Sequence, residues 1–145
     1  MEVPPGLLLD EEWSVIRRMQ GHRVKGLLVE WLVHLAPWQT VATLTFESLA
    51  GPEVAERSVR RWLRRVAPSV LAVVAYERQD RGAVHAHLLI ASLVDLARAR
   101  ALWESLAGWC RVEHIESVQC VVDYAVKHTA KGLDLDILGA SATLC

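Results

Sequence analysis

The chain has 145 residues, of which 52% are hydrophobic and 23% charged, and its formal net charge is −1. That is one domain's worth of chain with enough apolar side chain to bury a core, which excludes intrinsic disorder; a broadly basic nucleic-acid-binding composition is absent, although a local basic face remains open. The apolar runs are all broken before the ~18 residues of a membrane span, the opening MEVPPGLLLDEE lacks a basic leader, and Cys110, Cys120 and Cys145 show no CxxC spacing, so we expect a cytoplasmic protein with no membrane attachment and no zinc knuckle.

Residues 1–9 read as a loose leader. Asp10 can cap a helix with Glu11 and Glu12 in its first turn and Trp13, Ile16 and Met19 at helical spacing; Gly21 interrupts it. Residues 25–35 resume as a helix with Leu28, Trp31, Leu32 and Leu35 on one face, stopped by Pro37. Residues 1–37 are therefore expected as a helical N-terminal extension packed on a domain spanning 38–145.

Residues 39–46 (QTVATLTF) are β-branched and roughly alternating, hence a strand. After a turn, 53–66 reads as a helix facing the core with Val59, Trp62, Leu63 and Val66, and carrying Arg57, Arg60, Arg61, Arg64 and Arg65 outward. Two apolar runs, 70–77 and 83–91, flank RQDRG (78–82), which has the composition of a hairpin loop. An alanine- and leucine-rich helix over 93–107 closes at Gly108, a strand is expected over 111–118, and a last helix runs over 119–131 to Gly132. The tail from 133 onward is weakly patterned.

The order is β-α-β-β-α-β-α behind the extension. It predicts an α+β domain of the split βαβ (ferredoxin/RRM-like) kind: an antiparallel sheet of four to five strands with helices on both faces. Helices 53–66 and 93–107 would cover the Ala86/Leu88/Ile90 face, leaving the opposite face for the last helix.

That opposite face carries chemistry. His85 and His87 are two apart in a strand and so share a face. With 78–82 as the loop, Glu77 pairs with Ala83 and lies diagonally within reach of His85, so one carboxylate and two imidazoles form a candidate divalent-metal site. On the last helix Tyr124, Lys127, His128 and Lys131 fall on one stripe, with Val118, Val122, Ala125 and Val126 largely elsewhere as anchors. Taken separately, an HxH pair is often just a hydrogen-bonded strand feature, and a Tyr/Lys stripe is often a solvated face with a snorkelling ring. Together they place a phenol opposite an ion site. A phenol is a poor nucleophile near neutral pH until its surroundings change.

Three spaced motifs resemble the single-tyrosine HUH endonucleases, specifically rolling-circle replication initiators. Thr43-Leu44-Thr45-Phe46 is similar to that family's first motif, His85-Ala86-His87 with Glu77 before it to the His-hydrophobe-His motif and its acidic ligand, and Tyr124-Ala125-Val126-Lys127 to the Tyr-x-x-Lys motif. The resemblance implies that Tyr124 on the last helix attacks a phosphate of single-stranded DNA at an origin or hairpin, leaving a 5′-phosphotyrosine. It implies that His85, His87 and Glu77 hold Mg²⁺ or Mn²⁺, and that Lys127 helps position phosphate or metal. Thr43 and Thr45 are assigned to positioning the fold. The second tyrosine of some relatives is replaced here by His128, so a single nucleophile is expected. No Walker motif is present in the sequence, so any helicase would be a separate host protein or would lie outside this stretch of chain.

Lys131, His128, Arg60, Arg64 and Trp38 are the further candidates for DNA contact, and Trp109 is a second candidate for base stacking. Two other readings stay open: a single-tyrosine HUH transposase, and a non-catalytic RRM-like module that binds single strands. A conjugative relaxase fits less well, since its tyrosine usually comes first in motif order.

Overall fold

The computed structural model describes residues 26–27, 29–48, 50–78, 84–129 and 135–138. The leader and the helix expected after Asp10, the hairpin loop, Lys131 and Cys145 lie outside the described residues.

The chain forms an α+β structure. Helix α1 runs over 26–27 and 29–35, followed by β1 (Thr40–Thr45), α2 (Pro52–Val66), β2 (Ala72–Arg78), β3 (Val84–Ile90), α3 (Leu96–Leu106), β4 (Cys110–His114), α4 (Val118–Thr129) and β5 (Leu135–Leu138). The strands make one sheet in the order β4-β1-β3-β2-β5, and every neighbouring pair is antiparallel. Among the described residues no helix is long and apolar enough to cross a membrane.

Strand alternation sorts the sheet into two faces. Ala42, Leu44, Ala72, Val74, Ala86, Leu88, Ile90 and Val112 point to α2 and α3, where Ala55, Val59, Trp62, Ala99 and Trp103 meet them. Each fully buried large aliphatic there contributes about 1.5–3 kcal/mol. Trp62 and Phe46 both meet Trp103 edge-on, with ring centroids 6.3 and 5.1 Å away. The indole N–H groups are satisfied by backbone carbonyls: Trp62 donates to Ala99 O, and Trp103 to Thr45 O and Trp109 O. The other face carries Val73, Ala75 and Leu89, covered by Leu32 of α1 and by Val121, Tyr124 and Ala125 of α4.

Several boundaries differ from expectation. Pro52 occupies the first turn of α2, where its missing N–H costs nothing. Helix α3 starts three residues later than periodicity suggested because the Asp95 side chain accepts from Arg98 N at 3.1 Å and caps it. β4 ends at His114 rather than 118: Ile115 N donates to Gln39 O, after which β1 offers no further partner and the chain turns into α4. Trp31, expected on the packed face of α1, is exposed. The tail supplies a fifth strand that pairs with β2.

Candidate active site

The β2–β3 register pairs Glu77 with His85 and Ala75 with His87. This corrects the expected pairing of Glu77 with Ala83: the hairpin turn is one residue further along on each strand. A shift of two in the register sum preserves the face, so Glu77 still shares a side with both histidines. The β1–β3 register sets Thr45 across from His85 and Thr43 across from His87. Two adjacent rows result, Thr45–His85–Glu77 and Thr43–His87–Ala75.

Within this array His87 is met diagonally by Glu77 and from directly across by Thr43. Glu77 Oε2 lies 3.1 Å from His87 Nε2, while Thr43 Oγ1 lies 3.3 Å from His87 Nδ1. An ionised carboxylate only accepts, which assigns the ring proton to Nε2 and leaves Nδ1 to accept from the Thr43 hydroxyl. Burial lowers the His87 pKa below its ordinary value, helped by the positive charge of Lys127; Glu77 pulls the other way and does not win. His87 is therefore a neutral, oriented imidazole at neutral pH. The threonines of β1 were assigned to the fold alone; Thr43 also orients a site residue, and its period-two match to His87 across the sheet is the signal that identifies it. The neighbouring Thr45 Oγ1 is buried without a hydrogen-bond partner among the described residues.

Helix α4 supplies the roof. Its buried stripe is Val121, Tyr124 and Ala125, whereas Val118 and Val126, expected as anchors, are exposed. The Lys127 ammonium stands 3.7 Å from Glu77 Oε2, a partly solvated ion pair worth at most about 1 kcal/mol. The His128 ring lies between two others, its centroid 4.4 Å from Tyr124 and 4.8 Å from His87. Glu77, His87, Lys127, His128 and Tyr124 thus come together on one face.

The Tyr124 hydroxyl itself points to the backbone. It donates to His87 O at 2.7 Å and lies 3.4 Å from Val73 O; no imidazole or carboxylate is its hydrogen-bond partner among the described residues. The residue is 6% exposed. Burial pushes the phenol well above its usual pKa, with a backbone hydrogen bond from Ala75 opposing weakly. This is a desolvated, protonated hydroxyl, the reverse of an activated nucleophile. No family model and no curated protein matches this sequence.

The donor set for a divalent ion is right in chemical type, two imidazoles and a carboxylate on one face. Its arrangement is not a ready cradle: among the described residues no three His, Cys, Asp or Glu groups converge in a way that could hold a metal ion. Glu77 is engaged with His87 and Lys127. The His85 ring stands 6.2 Å from that of His87 and has no hydrogen-bond partner among the described residues.

The remaining DNA-contact candidates do not gather here. Arg60 and Arg64 belong to α2, on the far side of the sheet, and Arg60 pairs with Glu56 at 3.0 Å. Trp38 is buried and its indole donates to Leu32 O at 2.8 Å, which removes it as a base-stacking platform. Trp109, 61% exposed, keeps a free face.

Proposed function

We propose that the protein nicks and rejoins single-stranded DNA through Tyr124, as a single-tyrosine HUH-type initiator of rolling-circle replication. The observation that carries this is that Glu77, His85 and His87 share one face of β2 and β3, and that Lys127 and His128 of the helix laid across that face, beside Tyr124, meet Glu77 and His87 there. The strand order β4-β1-β3-β2, with α2 and α3 together on the other face, supports a split βαβ frame for it.

In this reading the scissile phosphate enters between the sheet and α4. Lys127 meets the phosphate charge as it leaves Glu77, and His128, its ring 4.4 Å from that of Tyr124, takes the phenol proton. The Tyr124 hydroxyl first gives up its bond to His87 O, at a net cost of about 1 kcal/mol, and the ring moves out of its buried seat. Its oxygen then forms the bond to phosphorus while the 3′ oxygen departs. A divalent ion held by His85, His87 and Glu77 would polarise the phosphate and stabilise that leaving oxyanion.

The backbone-tied phenol favours one other reading, a non-catalytic module that binds single strands with Tyr124 as a structural plug. A labelled oligonucleotide with Mn²⁺, run on a denaturing gel, separates the two. The nuclease gives a covalent protein–DNA band that Tyr124→Phe abolishes. Shifted but uncleaved DNA, with no such band for the wild type under any divalent ion, leaves only the module.

A further inference from the structure

Helix α2 is PEVAERSVRRWLRRV, five arginines against two glutamates in a chain whose net charge is −1. Its Ala55, Val59, Trp62 and Leu63 are buried against the sheet, and Arg57, Arg60, Arg61, Arg64 and Arg65 are all exposed on the outer side. Arg60 is neutralised by Glu56; no carboxylate lies within ion-pair distance of Arg57, Arg61, Arg64 or Arg65 among the described residues. Arg98 of α3 adds a further cation by donating from Nη1 to Arg65 O at 2.8 Å, at the negative end of α2. Between the two helices a cavity of about 150 Å³ is lined by Arg61, Arg65, Ser105, Leu102 and Leu106, with Trp62 beneath.

We propose that this arginine face binds the phosphate backbone of duplex nucleic acid, on the side of the sheet opposite the candidate active site. Arg57 and Arg65 are eight residues apart, about 12 Å along the helix axis, and a duplex presents one charge per about 1.7 Å of its own axis. The stripe therefore faces several phosphates at once. Guanidinium forks suit phosphate oxygens, and α2 carries arginine with no lysine. The cavity between Arg61 and Arg65, with the Ser105 hydroxyl beside them, offers a recess for one phosphate.

Duplex is favoured over single strand by what the face lacks. Sequence-tolerant single-strand binding uses aromatic platforms on which bases stack. The aromatic residues of α2 and α3 are Trp62 and Trp103, exposed by 1% and 0%. Charge without stacking suits a surface that touches backbone only.

The test is fluorescence anisotropy of the full chain with a labelled duplex of arbitrary sequence, titrated at several salt concentrations. For the wild type, affinity should fall with log salt at a slope of about −0.9 for each phosphate neutralised. Replacing Arg57, Arg61, Arg64 and Arg65 by Gln should weaken binding by about ten-fold or more and flatten the slope by about 3 to 4. The pair Arg61→Gln and Arg65→Gln serves as a milder second variant, with about half that change in slope. Unchanged affinity and slope in the Gln variants overturn the proposal. So does a labelled poly-glutamate that binds as tightly as duplex and is lost in the same variants, an outcome that assigns the face to an acidic protein.

Discussion

The phenol oxygen of Tyr124 sits 2.7 Å from the main-chain carbonyl of His87, the residue whose ring is held on its two nitrogens by Thr43 and Glu77. One residue of β3 thus anchors the closing helix through its backbone and presents an imidazole through its side chain. Under the proposed function stability and chemistry would meet at this point, so substitutions here should move both.

Tyr124→Phe keeps the ring and removes the hydroxyl bond, so it should cost about 1 kcal/mol in denaturant unfolding and abolish any covalent DNA adduct. The pH dependence has a definite sign. The folded pKa is raised above the unfolded value near 10, so above that pH the unfolded chain releases a proton that the folded chain retains. The stability from this group is complete below about 10 and declines as the pH climbs past it. Melting temperatures from pH 8 to 11 should fall less steeply for Tyr124→Phe than for the wild type; parallel curves would remove the buried-phenol account.

His87 works in the opposite direction. Its folded pKa is depressed below 6.5, so its contribution to stability is present above that pH and is lost as the pH falls below it. A histidine titration by NMR should find its midpoint below the ordinary value. Lys127→Met should raise that midpoint, because a repelling charge is gone, and Glu77→Gln should lower it further. A Lys127→Met midpoint that stays put would show burial acting alone.

If a divalent ion joins the site, it competes with Lys127 and with the His87 ring for Glu77. Mn²⁺ binding followed by calorimetry should therefore tighten in Lys127→Met. It should weaken by about ten-fold or more when His85 or Glu77 is replaced by Ala or Gln, respectively. Cleavage should stop on chelation with EDTA and return with Mn²⁺. Equal Mn²⁺ affinity in all these variants would place the ion elsewhere or nowhere.

Gly108 lies where α3 turns into β4, pressed against β1. A Cβ there would fall 2.5 Å from both Glu47 N and Thr45 O, which are backbone atoms and cannot swing aside. Gly108→Ala should destabilise the fold by about 1–3 kcal/mol, read from the urea midpoint. Because the displaced strand carries Thr43 and Thr45, cleavage should fall as well.

Much of this was legible in local pattern. Alternation in VHAHLLI set His85 and His87 on one face and Ala86, Leu88 and Ile90 on the other, because a strand has only two faces. The spacing of Val59, Trp62 and Leu63 likewise assigned the inner side of α2 and left the arginines outside. The same alternation put Glu77 on the side of His85 and His87, and the registers agree on that shared face.

Other features depend on partners that no local window contains. The hairpin register was off by one residue on each strand, since loop composition alone tolerates either turn position. β5 emerges only because the open edge of β2 accepts it. Helix α4 has hydrophobic residues around most of its circumference, so sequence left its rotation ambiguous. The narrow space over Ala75, Val73 and Leu89 settled it by admitting Val121, Tyr124 and Ala125 and turning Val118 and Val126 outward. Sequence by itself determined which chemical groups share a face, because backbone periodicity is a local property. Only the tertiary structure decided where the phenol's hydrogen goes, because that depends on which carbonyl the packing brings within 2.7 Å.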